Sequence, residues 1–240
     1  MNSRGAKPHL ILFDCDGTLT DSHGAIVKAM QQAFVSCGLE APDDGAVNRI
    51  IGLSLTAAIA TLTPDVSSHD VIAEAYRQHY LAGEEALALY PGVIETLETL
   101  KQRGYWMAVV TGKSKRGLLR VLERFGLDPY FYAVRTADCC PSKPHPAMAL
   151  ECMQELGADS SRTTLVGDAL FDMQLALAAH VKAIGVSFGV EDRDALCAAG
   201  AYDVVDNCPA LLEHFPPLNG PSLKYVVTQA RSVRRELNRW

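Results

Sequence analysis

The sequence has no pair of cysteines at C-x-x-C spacing and no cluster of cysteine and histidine, although it contains seven cysteines. Structural zinc sites need such spacings, so a zinc finger or zinc ribbon is not indicated. An odd number of scattered cysteines in a chain of 240 residues also argues against a disulfide framework. We therefore expect reduced thiols and a cytoplasmic protein.

The sequence also lacks a long apolar run and an excess of positive charge. No stretch reaches the length that a membrane-spanning helix needs, and the apolar run His9–Phe13 is too short for the core of a signal peptide. The net charge of −6 argues against nucleic acid as the main partner. We expect a small-molecule partner, with no role for nucleic acid or membrane. Nothing in the sequence indicates an oligomeric state.

Strands and helices alternate along most of the chain, which is typical of an α/β fold with a parallel sheet and helices on both faces. The predicted strands are Leu10–Phe13, Tyr105–Val110, Phe131–Arg135, Thr163–Val166, Val181–Val186 and Asp203–Val205. The predicted helices are Val93–Arg103, Lys115–Phe125, Pro146–Leu156 and Phe171–Ala179. In such sheets, ligands bind beyond the carboxyl ends of the strands.

A helical block interrupts this alternation. Between residues 22 and 89 the apolar residues recur at helical spacing, without strand-like alternation. We call residues 22–89 the helical insertion, and predict hinges at its two ends, near Thr20–Ser22 and Ala88–Pro91. The predicted domains are then an α/β core of residues 1–21 and 90–215, the helical insertion, and a basic C-terminal extension of residues 216–240. Residues 226–240 are predicted to form a short basic helix, which we interpret as a surface element.

The most informative segment is the one from Phe13 to Ser22, FDCDGTLTDS, which directly follows the first predicted strand. It places Asp14 and Asp16 where a turn of the backbone brings both carboxylates towards one point. Converging carboxylates repel unless a cation or a proton separates them. Hard divalent cations such as Mg²⁺ take oxygen ligands of this kind, often together with a substrate phosphate.

Three other polar segments fall where this architecture would place a site. Thr111-Gly112-Lys113 follows the second predicted strand of the core, and Lys143-Pro144 precedes a helix. The segment from Gly167 to Asp172 follows the strand Thr163–Val166 and contains Asp168 and Asp172. Each segment alone is weak, since such residues are common in turns and at helix starts. Their joint order at the ends of strands favours a functional site.

Together the four segments resemble the four motifs of the haloacid dehalogenase (HAD) superfamily of phosphohydrolases, and the resemblance extends to about Leu212. It implies a HAD-type Rossmann-like sheet, with the helical insertion as a cap domain. The overall pattern is most similar to the phosphoglycolate phosphatase-like branch. The function so implied is a Mg²⁺-dependent phosphatase for a small phosphomonoester such as phosphoglycolate, working through an aspartyl-phosphate intermediate.

The resemblance also implies residue roles. Asp14 would be the nucleophile, and Asp16 the acid and base whose backbone carbonyl also binds the metal. Thr111 and the Gly112 N–H would hold phosphoryl oxygens, and Lys143 would neutralise negative charge. The metal ligands would be Asp14, Asp16, Asp168 and Asp172.

Two further interpretations concern the substrate and a departure from the family pattern. In the helical insertion, Arg49 and Ser54 are the candidate substrate-binding residues. Arg49 is suited to bind a carboxylate or second phosphate, and Ser54 is also a candidate for capping a helix that begins at Leu55. Position 169, often threonine in the fourth motif, is alanine here, and we expect activity to persist without that hydroxyl. Cys15 is expected to point away from the metal as apolar filling.

Alternatives on the same fold stay open at this point. A phosphosugar mutase of the β-phosphoglucomutase type uses the same motifs, and a pyrophosphatase is a further alternative. A haloacid dehalogenase is disfavoured because that reaction needs neither Asp16 nor the metal carboxylates, and this sequence contains all of them. A non-catalytic phosphate-binding or regulatory protein is the remote alternative, since none of the implied catalytic residues is lost.

Overall fold

Parallel strands form the centre of the computed structural model, which describes residues 7–218 of the chain. The strands in chain order are β1 Leu10–Phe13, β2 Thr20–Asp21, β3 Ala88–Leu89, β4 Trp106–Val110, β5 Phe131–Arg135, β6 Thr163–Gly167, β7 Lys182–Val186 and β8 Asp203–Val205. The helices are α1 His23–Ser36, α2 Asp44–Asn48, α3 Leu55–Leu62, α4 His69–Gly83, α5 Val93–Gln102, α6 Lys115–Phe125, α7 Ala147–Leu156, α8 Leu170–Ala178 and α9 Arg193–Ala198.

The main sheet has six parallel strands in the order β5-β4-β1-β6-β7-β8. Strand β1 lies between β4 and β6, and its first residue, Leu10, is in register with Trp106 and Thr163. Because the strands are parallel, their carboxyl ends lie at one edge of the sheet, and the segments that follow β1, β4 and β6 are neighbours there. The predicted α/β fold with a parallel sheet is confirmed.

Both faces of the sheet are covered, as the apolar sequence of β1 requires. All four residues of β1 are buried. Ile11 and Phe13 belong to one hydrophobic cluster, whereas Leu10 and Leu12 belong to another, because successive side chains of a strand point to opposite faces. Helices α5 and α6 contribute to the first cluster, and α7 and α8 to the second. Parallel sheets are typically buried in this way.

The helical insertion contains α1 to α4 and a third hydrophobic cluster, with Met30, Phe34, Ile59 and Ile72 among its buried members. This cluster is built from residues 26–80, so these helices pack mainly on one another. The largest share of their packing is between α1 and α4. The division of the chain into core, cap and extension stays a prediction.

The interpretation of residues 22–89 as wholly helical is corrected at the end of the helical insertion. The structure pairs β3, inside the insertion, with β2 in an antiparallel ribbon of two residues per strand. A two-residue strand is too short to produce an alternating pattern, so no strand is predicted there from the sequence. The ribbon occupies the two places where hinges are predicted.

Two other expectations concern the C-terminal extension and membrane-spanning helices. The predicted basic helix of residues 226–240 lies outside the described residues. Within residues 7–218, no helix combines the length and apolar character that crossing a membrane requires.

Candidate active site

The four polar segments meet at the carboxyl edge of the sheet. Asp14 follows β1 directly, and its backbone N–H donates to the carbonyl of Val166 in β6 at 2.9 Å. Thr111 follows β4, and Asp168 follows β6. The neighbouring positions of these strands bring residues that are far apart in sequence into one site, as the order of motifs predicts.

Three carboxylates lie buried together at this edge. Asp14, Asp168 and Asp172 each offer an oxygen, and these oxygens all lie within 4.8 Å of one another. The side chains of all three are at most 2% exposed. Such proximity of like charges is unfavourable unless a cation or proton compensates it.

Lys143 supplies one compensating charge. Its Nζ lies 2.6 Å from Asp172 Oδ1 and 2.8 Å from Asp14 Oδ1, and its side chain is fully buried. Burial alone would lower the pKa of Lys143, but the adjacent carboxylates of Asp14 and Asp172 raise it above the usual lysine value. Lys143 is therefore cationic, and its ammonium offsets negative charge between two buried carboxylates.

One lysine does not balance three carboxylates. Burial raises the pKa of Asp14 to about 7, against the opposing effect of Lys143. Burial, together with the nearby Asp14 and Asp172, also raises the pKa of Asp168 well above its ordinary value. Without a further cation, protons are the species that relieve the repulsion.

The remaining hydrogen bonds fix the carboxylates in place. Asp168 accepts a hydrogen bond from the Thr18 hydroxyl at 2.9 Å and another from the Val190 N–H at 3.0 Å. Gly17 approaches Asp168 so closely, at a φ of 83°, that a Cβ on residue 17 would overlap the carboxylate. Asp172 accepts from the Ala169 N–H at 3.1 Å. The glycine of the first motif is thus required by contact with the fourth.

The buried carboxylates fit a hard divalent cation. Carboxylate oxygens are the ligands that Mg²⁺ prefers, and a charge of +2 would balance the two negative charges that Lys143 leaves. Asp14, Asp168 and Asp172 are the residues whose oxygens lie close enough together to hold such an ion.

Asp16 is placed apart from this buried group. Its carboxylate Oδ2 lies 2.9 Å from Nζ of Lys113, whose side chain is only 8% exposed. Lys113 Nζ also donates to the hydroxyl of Tyr80 in α4 at 3.0 Å. The sequence analysis quoted Lys113 within its motif without giving it a role, and it did not single out Tyr80, because a tyrosine in a helix has no distinguishing pattern.

Thr111 and Gly112 lie beside Asp14 and Asp16 on the wall of one cavity of about 540 Å³. A Cβ on Gly112 would overlap the carbonyl of Leu53 in the helical insertion. Glycine at position 112 therefore allows the backbone of the helical insertion to pack directly against the site. The volume lies within the range of ordinary ligand pockets.

The helical insertion forms the opposite wall of this cavity. Ser54 lines it and caps α3, as predicted, by accepting a hydrogen bond from the Ala57 N–H. The Ser54 N–H donates to the Ser142 hydroxyl at 2.8 Å, next to Lys143. The apolar side chains on this wall include Ile26, Met30, Ile50, Leu53 and Leu55.

The basic residues on the cavity wall differ from the predicted one. Arg49 is exposed and is not among the lining residues, and its guanidinium lies near Gly45. Arg77, Arg116 and Arg120 line the cavity instead. Arg120 is paired with Glu84 at 2.7 Å. Sequence spacing could not show which arginines face the cavity, because that depends on how α4 and α6 pack.

Cys15 and Ala169, two positions within the motifs to which no chemical role is assigned, are both buried. Cys15 lies in the hydrophobic core beneath β1, and burial raises the pKa of its thiol. Ala169 packs against Gly52 of the helical insertion. The missing hydroxyl thus leaves a methyl group at the contact between sheet and insertion, while the Ala169 N–H still orients Asp172.

Comparisons with known proteins agree with this fold and site. Residues 11–186 match the family model of the haloacid dehalogenase-like hydrolases. The chain is 37% identical to the probable phosphatase IndB of Dickeya dadantii, over 83% of this chain and 90% of that protein. It is 33% identical to a phosphoglycolate phosphatase of Agrobacterium fabrum, over 80% of this chain and 85% of that protein.

A solved structure is similar over most of its length. The crystal structure of a hydrolase from Pseudomonas syringae superimposes with a TM-score of 0.79 at 27% identity, covering 85% of this chain and 96% of that one. A hydrolase with a Rossmann-like parallel sheet and a site of buried carboxylates is the class that this fold and site define. The chain belongs to the haloacid dehalogenase-like hydrolases, in the branch that resembles phosphoglycolate phosphatases.

The raised pKa values of Asp14 and Asp168 predict how the stability of the metal-free protein depends on pH. The native state holds protons that the unfolded chain releases, so the free energy of unfolding falls as pH rises from the usual carboxyl range to about 7. We expect the melting temperature in EDTA to fall between about pH 5 and pH 8 by about 2–4 °C more in the wild type than in Asp168→Asn.

Asp168→Asn is the matched variant because an amide can still bond to Thr18 and Val190 while carrying no charge. Thermal unfolding followed by circular dichroism measures both proteins. Equal falls in the two proteins would show that the buried carboxylates do not hold these protons.

Proposed function

We propose that this protein is a Mg²⁺-dependent phosphatase that hydrolyses a small phosphomonoester through an aspartyl-phosphate intermediate. The chain is a phosphoric monoester hydrolase of the haloacid dehalogenase superfamily. The observation that supports the finer proposal is the placement of Asp14 and Asp16 on one cavity wall with Thr111 and Gly112. Directly beneath lie Lys143 and the buried carboxylates.

The chemistry begins with Asp14. Its carboxylate attacks phosphorus and the bond to the ester oxygen breaks, so the phosphoryl group passes to the aspartate. Asp16 gives a proton to the leaving oxygen, which departs as an alcohol. Asp16 then takes a proton from water as the water oxygen attacks phosphorus, and this step restores the Asp14 carboxylate and releases phosphate.

The surrounding groups offset negative charge. Lys143 lies against Asp14 and lowers the repulsion between this carboxylate and the phosphoryl group. We assign the Gly112 N–H and the Thr111 hydroxyl, both on the cavity wall, to binding the phosphoryl oxygens. Asp14, Asp168 and Asp172, together with the carbonyl of Asp16, would hold Mg²⁺, which when bound supplies positive charge to the phosphoryl oxygens.

The size and position of the cavity support a small substrate. Because the helical insertion packs over the carboxyl edge of the sheet, only a leaving group that fits within about 540 Å³ reaches Asp14. Relatives named as phosphoglycolate phosphatases make phosphoglycolate the first compound to test. A cytoplasmic location and the absence of nucleic-acid or membrane partners stay predictions from the sequence.

A substrate panel tests the proposed activity. We expect purified protein to release inorganic phosphate from at least one small phosphomonoester, phosphoglycolate or a sugar phosphate among them, and to stop when EDTA removes Mg²⁺. Phosphate release is measured with a colorimetric assay, and Mg²⁺ added back in excess is the control. Turnover that persists in EDTA, or no release from any member of the panel, would contradict the proposal.

Replacing the nucleophile tests the intermediate. Asp14→Asn keeps the shape of the side chain but removes its nucleophilic oxygen, so we expect turnover to fall at least about a thousand-fold with an unchanged circular dichroism spectrum. Acid-quenched wild-type enzyme should retain labelled phosphorus, whereas the variant should not. Asp194→Asn, an exposed aspartate in α9, is the control, and near-normal rates in Asp14→Asn would refute the mechanism.

A further inference from the structure

Lys113 connects the helical insertion to Asp16, which lies apart from the buried carboxylates of Asp14, Asp168 and Asp172. Its Nζ lies 2.9 Å from Asp16 Oδ2 and donates to the Tyr80 hydroxyl at 3.0 Å. The same Nζ lies 4.5 Å from the centre of the Tyr80 ring, within the range of a cation–π contact. One ammonium thus has a partner on each side of the cavity.

Packing against neighbouring residues restricts the conformation of the Lys113 side chain. Its aliphatic stem lies over Gly117 of α6, and its side chain is only 8% exposed. Tyr80 is 7% exposed and stacks on Tyr76 at 5.7 Å between ring centres. Because the side chains of Lys113 and Tyr80 are both almost completely enclosed, the position of the ammonium is determined by α4 as well as by the sheet.

The contact engages only one of the two oxygens of Asp16. Oδ2 faces Lys113, whereas Oδ1 is buried and has no hydrogen-bond partner among residues 7–218. Asp16 lines the cavity in which the ester must lie. A carboxylate held at one oxygen, with its other oxygen free, is oriented for transferring a proton at that free oxygen.

We propose that Lys113, held by the Tyr80 hydroxyl, is a positioning residue that orients Asp16 towards the leaving oxygen. The inference rests on the proposed function, in which Asp16 is the acid for the leaving group. It makes the efficiency of that acid depend on a side chain of the helical insertion. Lys113 therefore acts through Asp16 and not by binding the phosphoryl group.

Leaving groups of different basicity distinguish this role from a structural one. An alkoxide must be protonated as it leaves, whereas p-nitrophenolate leaves without a proton. A misplaced Asp16 therefore slows phosphoglycolate much more than p-nitrophenyl phosphate. The ratio of the two kcat/KM values, measured at saturating Mg²⁺, reports the first chemical step and is insensitive to the fraction of folded enzyme.

We expect Lys113→Met to lower kcat/KM for phosphoglycolate by about 10- to 100-fold and for p-nitrophenyl phosphate by less than about 3-fold. Tyr80→Phe should change the ratio in the same direction by about 3- to 10-fold, since it removes only the hydroxyl. Tyr202→Phe removes a hydroxyl from an exposed tyrosine outside the cavity and should leave the ratio as in the wild type.

A double-mutant cycle shows whether the effect passes through Asp16. In the Asp16→Asn background, Lys113→Met should cause no further loss with phosphoglycolate, because the residue it orients is already disabled. Equal losses with both substrates, or full additivity with Asp16→Asn, would overturn the inference while leaving the phosphatase proposal intact. A wild-type protein that turns over neither substrate would overturn both.

Discussion

The repulsion among Asp14, Asp168 and Asp172 is the constraint on which the site depends. Burial at the carboxyl edge of the sheet prevents water from screening these charges, so they persist only with protons or cations between them. Lys143 provides one positive charge, and the rest must come from protons or a divalent ion. The arrangement costs stability in the folded protein, and a divalent ion bound between the carboxylates would relieve that cost.

Contact between the sheet and the helical insertion is the second requirement. Close approaches around the cavity join them, among them Gly112 with Leu53, Ser142 with Ser54, and Lys113 with Tyr80. Each joins a motif residue or its neighbour to an element of the insertion. The residues to which we assign the chemistry therefore follow the strands of the sheet, while their enclosure, and the orientation that we propose for Asp16, come from the insertion.

The sheet and its carboxyl edge were predictable because they rest on local signals. Buried apolar strands such as Leu10–Phe13, followed by polar turns, fix both the strand order along the chain and the place of Asp14 and Asp168. The wall formed by the insertion was not predictable in the same way. Whether Arg49 or Arg116 faces the cavity, and whether Tyr80 reaches Lys113, depends on the packing of helices far apart in sequence, which spacing within one helix cannot show.

Proton release on Mg²⁺ binding tests the central claim most directly. Because burial raises the pKa of Asp14 to about 7 and also raises the pKa of Asp168, a divalent ion that binds these carboxylates must displace protons from them. Titration calorimetry at about pH 6.5, in two buffers of different ionisation enthalpy, measures the number of protons released. The account predicts net proton release that becomes smaller as the pH rises above the Asp14 pKa of about 7, and Mg²⁺ binding with no release at the lower pH would contradict it.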